Sequence, residues 1–340
     1  MLWVTWRQFR PQAVVAAAAL AAVAVTLAVT GPHLAALYQG SGLGGCTADC
    51  GSRVASFVSA VRGTPSEDIF YGGVLLVYAL PALIGLFWGA PLITREIESG
   101  TFRLAWNQSV TRRRWVAAKL GLVGLAAMLT AGLLSLMVTW WASPLYQAAQ
   151  QASQNSLSIN RLSPPLFDAT GIVPVGYAAA AFALGVMVGL LVRRTIVAMA
   201  ITLAVFAAIQ VLWPAFVRPH LLPPAHTVQH LDALTWNGVG DVHRGHLILQ
   251  PGTLTGFSPG TWITGSQAVT VSGQPAVMSP PACESAMQFV ACLDQHGIRM
   301  AVTYQPASRY WELQWLEAGL FLVLAGGLGG ASYWRVRRLA

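Results

Sequence analysis

The sequence predicts an all-α polytopic membrane protein: six transmembrane helices, both termini cytoplasmic, and a small mixed extracellular domain between spans five and six. Three observations carry this. Of 340 residues, 9 % are charged and 55 % apolar, with mean hydropathy +0.57; ordinary globular chains are about 25 % charged. Six apolar runs reach the roughly 20 helical residues that a bilayer requires. Basic residues collect in alternate loops. So little charge does not cover a water-soluble surface, which excludes an ordinary cytosolic enzyme. The net charge of +8 sits at the ends of apolar runs, which points to topology rather than to nucleic acid binding.

The runs follow in order. Ala13 to Thr30 is rich in Ala and Val. Arg7 and Arg10 precede it as they would a signal peptide, but the core is long and no small-x-small cleavage site follows, so an uncleaved anchor is expected. Ile69 to Ile93 is second, with a bend expected at Pro81. Trp115 to Trp141 is third, with the sole lysine, Lys119, in its opening turn. Gly171 to Val192 and Thr195 to Val217 are separated only by Arg193 and Arg194, so they form a tight hairpin. Leu313 to Trp334 is sixth.

Loop charge sets orientation. With the N-terminus inside, the inside segments hold 13 basic residues against two acidic ones, Glu96 and Glu98. The outside segments hold seven basic and nine acidic residues. The expected domains are 1-217, spans one to five with a cytoplasmic loop at 94-114; 218-311, an extracellular cap; and 312-340, span six with a cytoplasmic tail. Within the cap, Thr261 to Val277 alternates around Ser272-Gly273 and reads as short strands with a turn. Ala282 to Gln295 reads as a short helix.

All four cysteines, Cys46, Cys50, Cys283 and Cys292, fall outside, where disulfides persist. Three connectivities exist, and local pairs are preferred. An unbroken helix would separate Cys283 from Cys292 by about 13 Å, too far to bridge, so that helix ends between them or each pairs elsewhere. All seven histidines are outside. The spacings His226/His230 and His243/His246 suit a metal only on helices. Their surroundings are loop-like, so no metal site is expected.

Polar and small residues inside the runs are few. Gly85/Gly89, Gly185/Gly189 and Gly326/Gly330 each put two glycines on one helix face, for intrachain packing or for a subunit interface. Gln210 and Glu317 are the polar outliers. Glu317 lies within two turns of the outer surface, within expected reach of water or Arg309.

The loop between spans two and three is the most informative segment. Arg95 to Ser99 can extend span two, Gly100 stops it, and Thr101 can cap a short helix bearing Phe102, Leu104, Ala105 and Trp106. Such a helix would lie along the membrane face and present bulky side chains to a separate partner. No Gly-rich phosphate loop ending in Lys-Ser or Lys-Thr occurs; Lys119 follows Ala118 in an apolar stretch. This chain is therefore not expected to bind or split ATP, and no catalytic or cofactor set is expected here. Neither Gly-x-Ser-x-Gly nor His-Glu-x-x-His is present.

The pattern Glu96-x-Glu98-x-Gly100-Thr101, then Ser109-Val110-Thr111-Arg112 and Lys119, resembles the membrane subunits of type-two ABC transporters, the permeases of antibiotic, drug, lipid and polysaccharide exporters. An amphipathic N-terminal helix of Leu2, Trp3, Trp6, Phe9 and Arg10 would match that family. The stretch Tyr304-Gln305-Pro306-Ala307-Ser308-Arg309-Tyr310-Trp311 into Gln314-Trp315 and Glu317 resembles a subgroup common in GC-rich bacteria. The resemblance implies a bacterial plasma-membrane protein, a separate ATP-binding subunit as partner, and a second copy or a paralogous permease to complete the pore. It implies that Glu96 to Asn107 couples to the ATPase, with Glu96 and Glu98 pairing to its basic residues and Gly100, Thr101, Phe102, Leu104 and Trp106 shaping the contact. The expected cargo is amphipathic or hydrophobic and moves outward. Two rivals stand beside this: a membrane-anchored receptor or sensor whose extracellular loop binds a ligand, and an intramembrane enzyme. The first needs an output domain, and the second needs clustered ionisable residues at membrane depth.

Overall fold

The computed structural model describes residues 2–46, 50–100, 112–151, 160–230, 236–243, 246–251, 257–276, 283 and 289–337. Six helices among them are long and apolar enough to cross a membrane: Thr5–Gly40, Pro65–Glu98, Arg114–Trp141, Val173–Val192, Thr195–His220 and Ala307–Val336. These are spans one to six below.

Span one belongs to helix α1, Leu2–Gly40. The separate amphipathic N-terminal helix implied by the resemblance is not formed. No glycine or polar turn interrupts residues 2–30, and the helix runs straight on through Pro11. A short helix, α2 (Gly51–Val61), packs back on it. Span two is not broken at Pro81. Helix α3 (Pro65–Ile84) is followed by one π turn, Gly85–Gly89, and by α4, Pro91–Glu98. The Ala90 N–H donates to the Gly85 carbonyl at 2.9 Å, which spreads the helix where the ladder has already lost the proline donor.

Helix α5 (Arg112–Trp141) provides span three, and α6 (Ser143–Gln151) and α7 (Pro164–Asp168) follow. Helix α8 (Val173–Val192) is span four and α9 (Thr195–Leu212) opens span five. The turn between them is as tight as its two arginines require; Arg193 closes α8 with φ 58°, in the left-handed region. A second π turn, Trp213–Val217, ends the apolar part of span five.

Span four is the centre of the bundle. Its Ala- and Gly-rich sequence is apolar on every face, so neighbours surround it. Spans two and four meet backbone to backbone. A carbon added at Gly85 would lie 2.8 Å from the Ala181 carbonyl oxygen, and one at Gly185 would lie 2.5 Å from that of Gly85. Two of the three glycine pairs therefore serve packing within the chain. Gly326 and Gly330 on span six face open space.

One cluster joins Phe9, Ile93, Trp115, Leu190 and Val336. Both chain ends therefore lie at the same end of the bundle, with Arg95, Arg114, Arg193 and Arg194. The opposite end carries a sheet. Strands β1 (Ala225–His230), β2 (Trp236–His243), β3 (His246–Pro251) and β4 (Trp262–Val269) precede helix α10 (Phe289–Gln295) and strand β5 (Arg299–Gln305). Strand β5 lies between β1 and β4, antiparallel to both, while β2 and β3 pair separately. Met300 and Val302 turn inward onto Ala268, Leu293 and Cys283. The alternation from Thr261 thus forms one strand, a turn at Gly273 and a single bridge from Val269 to Pro275. The main partners of these strands come from far along the chain. Helix α11 (Tyr310–Arg337) then returns as span six. The sheet is tied to the helices by Asn160, whose amide donates to the Thr261 carbonyl at 2.8 Å, and by Gln305, which donates to Leu222 at 2.9 Å.

The cysteines pair Cys46–Cys50 and Cys283–Cys292, each with S–S 2.05 Å. Helix α10 begins after Cys283, which permits a Cα separation of 5.6 Å. His226 and His230 lie on a strand, on one face but separated by four residues of extended chain, about 13 Å, too far to share an ion. His226 Nδ1 instead meets Thr303 Oγ1 at 3.1 Å.

Candidate functional site

The arginine-rich end holds the first set of candidate residues. Helix α4 carries Glu96 and Glu98 beyond the apolar part of span two, and Gly100 stops it with φ 72°. The Glu96 carboxylate accepts from Lys119 Nζ at 2.5 Å. Lys119 is buried on span three, with its ammonium 4.7 Å from the Trp115 ring centre. The Glu98 carboxylate accepts from Thr195 Oγ1 at 2.6 Å and from the Thr195 N–H at 3.2 Å, which caps the first turn of span five. The sequence reading assigned both carboxylates to basic residues of a partner. In the structure they hold spans two, three and five together at their ends. Thr101, Phe102, Leu104 and Trp106 lie outside the described residues.

A second constellation was not found from sequence. Arg218 ends span five and is fully buried, as is Glu317 on span six. Arg218 Nε donates to Glu317 Oε2 at 2.8 Å and Nη2 to Oε1 at 2.7 Å. The same Nη2 donates to Asp168 Oδ1. Tyr177 of span four donates to Glu317 at 2.5 Å, and the Phe167 ring lies 4.4 Å from the guanidinium carbon. Glu317 therefore reaches neither water nor Arg309, contrary to the expectation from sequence. Arg309 instead donates to the Pro223 carbonyl and to Gln305 Oε1. The apolar shell of Phe167, Tyr177, Leu313 and Phe321 closes the site.

Its charge count is unequal: one guanidinium faces two carboxylates. Burial pushes the Asp168 carboxyl up to about 7, against the pull of Arg218 and with the help of Glu317. Asp168 Oδ2 and Arg218 Nη1 have no hydrogen-bond partner. A protonated Asp168 balances the cluster, and an ionised one leaves a buried negative charge. Chemically the cluster fastens spans four, five and six and the segment before span four. It has no nucleophile and base pair of the kind hydrolysis needs. The only sequence signals were Glu317 itself and an arginine directly after an apolar run. Asp168 and Arg218 are 50 residues apart and Arg218 and Glu317 are 99 apart, so no local spacing links them.

Gln210, the other polar outlier, donates to the Tyr78 carbonyl at 2.8 Å and is thereby satisfied between spans five and two.

Comparison with curated proteins and with solved structures gives no match. A family model described as "ABC-2 membrane transporter related" matches residues 17–218. That stretch runs from span one through span five and ends on the buried arginine. With six apolar helices and a match over more than half its length, the chain belongs to the ABC-2 membrane transporter family, as a multi-pass permease.

Proposed function

We propose that this permease is the membrane half of an exporter whose ATP is hydrolysed by a separate subunit. The single observation that carries the reading is the family match over spans one to five. Two features support the orientation this reading needs. The loop charge asymmetry favours the arginine-rich end, and with it both termini, on the cytoplasmic side. The sheet end, residues 218-311, is then an extracellular cap; Cys283–Cys292 within it and Cys46–Cys50 just after span one both fall on the side where disulfides persist.

In this reading residues 94-114 meet the ATPase. Thr101, Phe102, Leu104 and Trp106 supply the contact. Glu96 and Glu98 act one step behind, because their bonds to Lys119 and Thr195 would carry a push on the loop into spans three and five. A second copy or a paralogous permease completes the transporter, and the cargo is amphipathic or hydrophobic.

The test is purification of the native complex. A stoichiometric ATP-binding subunit, with hydrolysis stimulated by candidate lipids, peptides or antibiotics, is the expected result. A chain that purifies only with itself, and whose cap binds a soluble ligand, would overturn the proposal in favour of a receptor.

A further inference from the structure

Two cavities lie side by side between spans one, two and three. The larger, about 410 Å³, is lined almost wholly by apolar side chains, among them Ala16, Leu20, Leu80 and Phe87. The smaller, about 200 Å³, is polar and lies at the arginine-rich end. Gln12 and Trp88 line both, so the two adjoin, and together they make a wedge with an apolar and a polar part. The apolar part alone falls in the range of small-molecule sites, roughly 300–1,000 Å³.

The polar part has a defined charge. Its ionic side chains are Arg95, Glu96 and Lys119. Glu96 is bound to Lys119. Arg95 remains, exposed and with no ion pair among the described residues. Thr5, Gln8 and Gln12 add uncharged polar side chains to the same lining. A molecule that fills both parts needs an apolar chain pointing toward the middle of the bundle and a polar, negatively charged head at the arginine-rich end. That is the orientation of a lipid in the leaflet on that side.

We propose that this wedge binds an anionic, phospholipid-like amphiphile, with its acidic head at Arg95 and its chain between spans one and two. The site deepens the transport reading and rests on it for any step after binding, since it opens toward lipid at the end where Glu96 and Lys119 tie spans two and three. An occupant of the apolar part presses on Phe87 and Trp88, inside the π turn that leads to those ties.

The test uses the unmodified full-length chain in nanodiscs with phosphatidylglycerol carrying a photoactivatable acyl chain. A phosphatidylcholine with the same chain is the control. Labelling is expected to concentrate on residues 11–23 and 76–88 and to favour the anionic head. Arg95→Gln is expected to reduce that head preference about five- to tenfold while leaving labelling by the chain, with an unchanged melting temperature as the check on folding. Labelling spread evenly over all lipid-facing helices, or equal for both heads in the unmodified chain, would overturn the site as ordinary surrounding lipid. Disulfide cross-linking between two copies through Leu76→Cys would overturn it in favour of a second copy seated there. Co-purification of an ATP-binding subunit reads the transport proposal independently. If the subunit is absent and labelling is focused, only the transport reading fails. If the subunit is present and labelling is diffuse, only the site fails.

Discussion

Replacing Arg218 by methionine removes the single cation of a fully buried cluster. It leaves Asp168 and Glu317 facing one another, with side-chain exposures of 1 % and 0 %. Deleting one partner of a buried ion pair costs about 3–5 kcal/mol, because the other charge is stranded. For a chain of 340 residues that lowers the melting temperature by about 4–7 °C. Part of the cost is relieved by proton uptake, so the loss should be largest at alkaline pH. Tryptophan fluorescence during a thermal ramp of the detergent-purified protein is the assay. The triple replacement Arg218→Met, Asp168→Asn, Glu317→Gln removes the stranded charges and should recover most of the loss. If Arg218→Met melts within about 2 °C of the parent at pH 8, the cluster does not fasten the three spans and the reasoning fails.

Other outcomes follow from the same geometry. Asp168 is held near 7 in the folded chain against its ordinary 3.8, so between those values the folded state binds a proton that the unfolded state has lost. Its contribution to stability is complete below about pH 4 and fades toward pH 7, by up to about 1.4 kcal/mol per unit. Melting curves across that range should show this slope, and Asp168→Asn should flatten it. Gly185→Leu forces spans two and four apart and should cost about 1–3 kcal/mol, whereas Gly326→Leu, facing open space, should stay within about 0.5 kcal/mol; equal melting temperatures would count against the packing account. Replacing Glu96 and Glu98 together by alanine should leave the ATP-binding subunit attached but make its hydrolysis indifferent to substrate. Normal stimulation in that double variant would show that the two ties carry no motion.

The spans were legible because the bilayer imposes a length and a polarity that composition alone reveals. The hairpin at Arg193 and Arg194 and the stop at Gly100 were legible because local backbone chemistry sets them. Glu317 was seen as an outlier but was given the wrong partner. Charges near the end of an apolar run look solvated from sequence, and nothing along the chain signals that Phe167, Tyr177 and Phe321 shut the water out. The sheet was seen only in part for a related reason. The turn at Ser272-Gly273 is local, but β5 meets β1 from about 70 residues away, with Ala225 opposite Tyr304. The opposite lesson comes from the carboxylates of the cytoplasmic-type loop. Sequence shows two carboxylates at the end of span two, but not that Lys119 and Thr195 hold them.

Span four occupies the axis of its own bundle, and its alanines and glycines let the other helices close on it without a gap. A protomer built around such a post carries its cavity of about 410 Å³ off that axis, between spans one, two and three. On the transport reading proposed above, the cargo would slide along that flank, against lipid or against a neighbouring subunit, and specificity would be written on the outward faces of the peripheral helices.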